Sequence, residues 1–181
     1  MVIPSTPCEA KGLLLSSIRD PDPVIFFEPK RIYRAIREEV PEGDCTLPLG
    51  KARLVQEGKD VTIVVWGAMV REALNAAESL KADKIEAEII DLRTMSPIDS
   101  ETVVTSIRKT GRGVIVHEAP KTCGLGAEII ALINEKALLS LQAPIERVTG
   151  FDIPVPLMKT EHYYLPNPKR IILAVKKVMS F

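Results

Sequence analysis

The chain has 181 residues, 46% hydrophobic and 27% charged, enough for one domain with a substantial core plus a smaller attached unit. Lys and Arg together equal Asp and Glu at 24 each, which leaves no net field to draw nucleic acid or an anionic membrane. Cys8, Cys45 and Cys123 stand in no metal-ligand spacing and argue against a disulfide scaffold, and no apolar run approaches the roughly 20 residues of a membrane span.

Met1-Val2-Ile3-Pro4 has neither a charged leader nor an apolar signal core, and Val2-Ile3 reads as a strand stub. Thr6-Pro7-Cys8-Glu9 predicts a capping box, with Thr6 as N-cap, Pro7 at the first helical position and Glu9 reaching back. The helix should run to about Arg19 and bury Leu14, Leu15 and Ile18. Asp20-Pro21-Asp22-Pro23 is a turn, and Val24 to Phe27 an apolar strand. Such a strand–helix–strand unit cannot bury both its faces alone, as if the chain began within a domain. Arg31 to Glu39 reads as a short helix and residues 39–50 as a linker. The expected units are therefore residues 1–38, the linker 39–50 and a main domain over 51–181.

Ala52 to Gln56 is a short strand. Val61 to Trp66 then runs without a charge, the pattern of a strand covered on both faces. Gly67 ends it, and Ala68 to Leu80 carries a helical apolar stripe before a second strand at Ile85 to Ile90. This is a βαβ unit. Ser96-Pro97-Ile98-Asp99 signals another cap, for a helix ending at Gly111. Val114 to His117 is a third parallel strand, and Gly124-Leu125-Gly126 turns into a helix from Ala127 to about Leu139. Ile145 to Val148 is an outer strand, Phe151 to Pro166 an irregular proline-rich stretch, and Asn167 the cap of a last helix striped with Ile171, Ile172, Val175, Val178 and Met179. The fold class is α/β: a three-layer α/β/α sandwich on a mostly parallel sheet.

Candidate chemistry is sparse. Gly124-Leu125-Gly126 lies at a strand-to-helix turn, but Ile129 occupies the place of the third glycine of a dinucleotide fingerprint, so a plain tight turn is the better reading. His117-Glu118 ends a strand at the carboxyl edge of the sheet, where ligands bind in open α/β folds, and reads as a hydrogen-bonded edge pair. His162 reads as a surface residue, Asp91, Asp99 and Glu101 as turn and cap residues, and Cys123 as an unpaired thiol. No catalytic or cofactor-binding set assembles from these residues. A catalytic domain missing its partner, a free-standing ligand-binding or regulatory module, and a subunit-assembly domain all remain open.

Several stretches in order resemble one family: Ile3-Pro4-Ser5-Thr6-Pro7, Ala10-Lys11-Gly12-Leu13-Leu14, Phe26-Phe27-Glu28-Pro29-Lys30, Asp60-Val61-Thr62, Asp91-Leu92-Arg93-Thr94, His117-Glu118-Ala119-Pro120 and Arg147-Val148-Thr149-Gly150. The chain resembles the E1 β subunit of a thiamine-diphosphate-dependent 2-oxoacid dehydrogenase. The Phe-Phe-Glu-Pro-Lys run and Val65-Trp66-Gly67 are most similar to the branched-chain (2-oxoisovalerate) type, with the pyruvate type and other transketolase-superfamily subunits as alternatives.

The resemblance implies that residues 1–38 correspond to the end of a pyrimidine-binding domain and 51–181 to a transketolase C-terminal domain. It implies that the family's cofactor-contacting glutamate and catalytic histidine lie outside these residues, so the chain alone is expected not to catalyse. Thiamine diphosphate and magnesium would belong to the complete α2β2 enzyme. The family's structural potassium would map to Ser17, Asp20 and Asp22, as part of a site whose other ligands come from elsewhere. The implied partners are an E1 α subunit, a second E1 β subunit and the peripheral subunit-binding domain of E2, docked in part through Phe181 and its terminal carboxylate. The implied compartment is the cytoplasm, or the mitochondrial matrix in a eukaryote.

Overall fold

The computed structural model describes residues 1–181. Thr6 caps α1 (Pro7–Arg19) by accepting the Glu9 amide, as its residue type predicts. Glu9, however, reaches past the cap: its Oε2 accepts the amide and hydroxyl of Ser5, at 3.1 and 2.7 Å. The buried face of α1 also differs from the sequence expectation. Glu9, Gly12 and Leu13 are buried, whereas Leu14 is exposed and Ile18 is 71% exposed. The helix is rotated so that its one buried charge meets its partners, and the aliphatic stripe faces outward.

Val24 to Phe27 contributes a single bridge, Phe26 beside Val2, rather than a strand, and Lys30–Ile32 makes one 3-10 turn in place of the expected short helix. Val2 also bridges Thr94, so the N-terminal stretch runs along Arg93–Ser96, with Ile3 N–H donating to the Arg93 carbonyl and Met95 N–H to that of Met1.

The sheet comprises β1 (Arg53–Gln56), β2 (Val61–Val65), β3 (Ala87–Asp91), β4 (Gly113–Val116) and β5 (Glu146–Val148), in the order β1-β3-β2-β4-β5. Pairings β2–β3, β2–β4 and β4–β5 are parallel, and only edge strand β1 is antiparallel. Every residue of β2, β3 and β4 is buried, which is why β2 and β4 read as near-continuous apolar runs, while β3 buries Glu88 and Asp91 as well. α2 (Met69–Leu80) and α6 (Pro168–Met179) cover one face, and α3 (Ser100–Thr110) and α4 (Leu125–Ala137) the other, so two separate apolar cores flank the sheet. Asp99 and Asn167 cap α3 and α6 through their side chains, and Gly111 closes α3 in the left-handed conformation that favours glycine. The stretch after β5 is irregular except for one turn of helix, α5 (Glu161–Tyr164).

The one polar side chain inside β2, Thr62, is satisfied by the hydroxyls of Ser106 and Thr110 at 2.7 Å each, and Ser106 passes the chain on to Glu88. Without those partners its burial would cost about 1–3 kcal/mol. No helix is long and apolar enough to cross a membrane.

Candidate functional site

The chain leaves β2 toward β3 on one side and crosses to β4 on the other, so β2 and β4 are neighbours across the switch in strand order. In open parallel sheets the crevice beyond the carboxyl ends at this switch is where ligands bind. Here it is closed by two rings. Trp66, after β2, stacks on His117, after β4, with centroids 5.3 Å apart and planes 14° from parallel. His117 is buried, and neither ring nitrogen has a hydrogen-bond partner, so it is not half of a hydrogen-bonded pair with Glu118. Burial, assisted by the positive charge of Arg147, pulls its pKa down to about 4.

The glycines ahead of α4 make room for this ring. A methyl group on Gly124 would lie 2.8 Å from His117 Cε1, and one on Gly126 2.7 Å from Nε2. What looks like a fragment of a phosphate loop is thus a seat for a neutral imidazole, the protonation state suited to a helix N-terminus. Beside it, burial raises the pKa of Glu118; Arg31 opposes that shift, and Glu161 and Glu72 reinforce it.

A second polar cluster joins α1 to the sheet. Glu9 Oε1 lies 2.6 Å from Arg93 Nε and 3.1 Å from Arg53 Nε. Burial opposes ionisation of Glu9, but the Ser5 hydrogen bond and both arginines outweigh it and hold the carboxyl below its usual range. Asp91, the last residue of β3, accepts the Arg93 amide as a turn residue should, yet it is fully buried. Burial, and then the charge of Glu9, push its pKa from 3.8 to about 7.

Proton counting supports this assignment. Ser5 Oγ lies 2.7 Å from Glu9 Oε2 and 2.6 Å from Asp91 Oδ2, but a hydroxyl has one hydrogen to give. Both contacts are hydrogen bonds only if one carboxyl is protonated. Glu9 has two arginines and Asp91 none as close, so the proton belongs to Asp91. The Asp91 acid donates to Ser5, and Ser5 donates to Glu9.

The other sequence candidates lie apart from both clusters. Ser17 donates its hydroxyl to the Leu13 carbonyl at 2.7 Å, and Asp20 Oδ1 accepts the Asp22 amide at 3.0 Å, closing the turn after α1. The Ser17 lone pairs, Asp20 Oδ2 and the exposed Asp22 carboxylate remain as oxygen donors of the kind a hard cation takes. Phe181 follows α6 and is 68% exposed; His162 and Cys123 are also exposed.

Residues 50–171 match the model of the transketolase C-terminal domain. The chain belongs to the transketolase C-terminal domain family. It is 52% identical, over 98% of its length and 54% of the relative's, to the pyruvate dehydrogenase E1 component subunit beta of Acholeplasma laidlawii. Over its full length it is 57% identical to the mitochondrial 2-oxoisovalerate dehydrogenase subunit beta of Dictyostelium discoideum, covering 49% of that protein. It is 49% identical to the pyruvate dehydrogenase E1 component subunit beta of Bacillus subtilis (strain 168), covering 56% of it. Among solved structures, a split gene transketolase described as an inactive beta4 tetramer superposes with a TM-score of 0.81 at 28% identity, over 99% of this chain and 56% of that one. The chain thus spans about half the length of the curated relatives it matches.

Within this transketolase C-terminal domain protein, the Ser5–Glu9–Asp91 cluster was not visible as a unit in the sequence. The single local signal is Thr6-Pro7-Cys8-Glu9, which reads as a capping box and does not include Ser5.

Its titration has a definite sign. The fold keeps Asp91 protonated at pH values where the unfolded chain has ionised it, so this residue draws stability down as pH rises from about 4 to about 7, and no further above that. Glu9 acts oppositely, and its contribution is lost as pH falls below the usual carboxylate range. Asp91→Asn keeps a donor for Ser5 and removes the first slope. Urea unfolding of parent and variant should therefore differ by about 2 kcal/mol more in the variant's favour at pH ~8 than at pH ~5. A difference that does not change with pH would show that Asp91 is ionised in the fold.

Proposed function

We propose that this chain serves as the C-terminal part of the E1 β subunit of a 2-oxoacid dehydrogenase of the branched-chain type, where it packs subunits together and docks E2. The observation that carries the reading is end-to-end similarity to E1 β subunits, combined with a face suited to assembly rather than catalysis. Phe151, Ile153, Val155, Leu157 and Met158 project from the stretch after β5, and the last two are close to 90% exposed. Apolar side chains grouped like this mark a contact surface. Identity of 57% to the 2-oxoisovalerate relative, against 52% and 49% to the pyruvate ones, favours the branched-chain type.

Thiamine diphosphate with magnesium goes with this reading and, when bound, supplies the electron sink for decarboxylation. The residues of this chain do not fit that group. No three His, Cys, Asp or Glu side chains are grouped to hold a metal, and the start of α4 is filled by His117. Its own residues would therefore serve to position neighbouring subunits.

Ser17, Asp20 and Asp22 enter the proposal as a part-site for potassium, completed by ligands from outside these residues. The assembled enzyme should melt at a higher temperature in potassium chloride than in sodium chloride; equal melting would remove a cation role from this turn. The same assembled α2β2 enzyme should turn over 2-oxoisovalerate faster than pyruvate, and the reverse preference would assign the pyruvate type.

Docking is tested on the chain itself. Calorimetric titration with the peripheral subunit-binding domain of E2 should give saturable binding, and deleting Phe181 should weaken it about tenfold. Unchanged affinity would exclude Phe181, and no binding by a folded chain would sink the docking role of this domain in isolation.

A further inference from the structure

Between the Ile32–Arg37 segment and the start of α2 lies a surface cavity of about 380 Å3, which meets the Glu9 cluster at Ser5 and Arg53 and otherwise uses residues outside both clusters. Three arginines line it, Arg37, Arg53 and Arg71, and no aspartate or glutamate does. They come from three separate parts of the chain: the stretch ahead of the sheet, edge strand β1 and the first turn of α2. Their charges are unevenly answered. Arg53 lies 3.1 Å from Glu9, but that carboxylate is shared with Arg93. Arg71 reaches only a backbone carbonyl, that of Ala35 at 3.2 Å, and Arg37 has no ion-pair or hydrogen-bond partner.

Like charges converging on one concavity repel unless an anion comes between them, and guanidinium groups suit carboxylate and phosphate oxygens. The cavity continues past the charges onto an aliphatic wall of Ile32, Ile36 and Leu74, and Gly67 and Ala68 bring the start of α2 to its rim. α2 has no side-chain cap of its own. Both features suit the same occupant, with a negative head at the arginines and an apolar body along the wall.

We propose that this cavity is a binding site for a small organic anion, a phosphate or carboxylate head on a short aliphatic body. The site is independent of the E1 β reading, because it uses neither the exposed face after β5 nor Phe181.

Inorganic phosphate and hexanoate are the probes, titrated into the intact chain in a low-chloride buffer. Binding is followed by calorimetry and by the NMR signals of the arginine Nε–H groups. Saturable binding is expected for at least one probe, with the Arg37 and Arg71 signals shifting together. Tighter hexanoate binding assigns an aliphatic carboxylate as the ligand class, and tighter phosphate binding a phosphorylated one. Arg37→Gln and Arg71→Gln should each weaken the preferred probe about tenfold, whereas Lys136→Gln, on α4 across the sheet, should not. Arg53 is left in place because it also serves Glu9. Absence of saturable binding by both probes, or affinity untouched by both substitutions, overturns the site. The Nε–H shifts in the unaltered chain decide the matter even where a variant fails to fold.

Discussion

A single buried carboxylate, that of Glu9, sets how the first half of this chain meets the second. Burying an ionised glutamate alone costs several kcal/mol, so the fold has to bring it positive partners. It brings two from the same end of one strand pair: Arg53 from the start of β1 and Arg93 from just past the end of β3. Those strands run antiparallel, with Arg53 opposite Asp91, so the two guanidinium groups arrive at one point only when the register is correct. α1 is then fixed in rotation about its axis. Glu9 and Leu13 must face inward, and Leu14 and Ile18 are turned toward solvent as a consequence.

The same geometry explains why Asp91 carries a proton. Both nearby guanidinium groups are engaged by Glu9, and a second full negative charge at the fully buried end of β3 would be desolvated and would face the Glu9 carboxylate without a close cation of its own. A neutral acid there is both donor and acceptor, which lets one serine hydroxyl bridge α1 and the sheet with a hydrogen bond to each carboxyl group. The cluster is a joint whose strength depends on its proton count.

How far the sequence announced all this depends on the range over which each cause acts. Strands covered on both faces are largely apolar, so β2 and β4 were legible as runs, and the fold class followed, while β3 buries Glu88 and Asp91 among its apolar residues. Caps act across three residues, so Thr6, Asp99 and Asn167 were legible as helix starts. The inward face of α1 was not, because Ser5 and Asp91 are separated by 86 positions and an amphipathic stripe says nothing of a partner that distant. The expected burial of Leu14, Leu15 and Ile18 followed hydrophobicity alone, and one buried ion pair outweighed it. The expected helix over Arg31–Glu39 likewise yielded a single turn, in a stretch that brings Arg37 to the cavity it shares with α2.

The glycine turn before α4 shows why a motif needs its surroundings. Two glycines at the carboxyl edge of a parallel sheet are equally consistent with a backbone approaching a phosphate and with a backbone approaching a side chain. The clearances at Gly124 and Gly126 decide for the side chain, because the His117 ring already occupies the space a ligand would need. Burial then keeps that ring neutral, and stacking on Trp66 keeps it flat against the turn. With this crevice filled from within, the two surfaces proposed for partners are peripheral: the arginine-lined cavity beside α2, and the apolar side chains after β5. One is charged and concave, the other apolar and projecting, so they call for occupants of different chemistry. In this domain the carboxyl edge of the sheet at the β2–β4 switch is given over to internal packing.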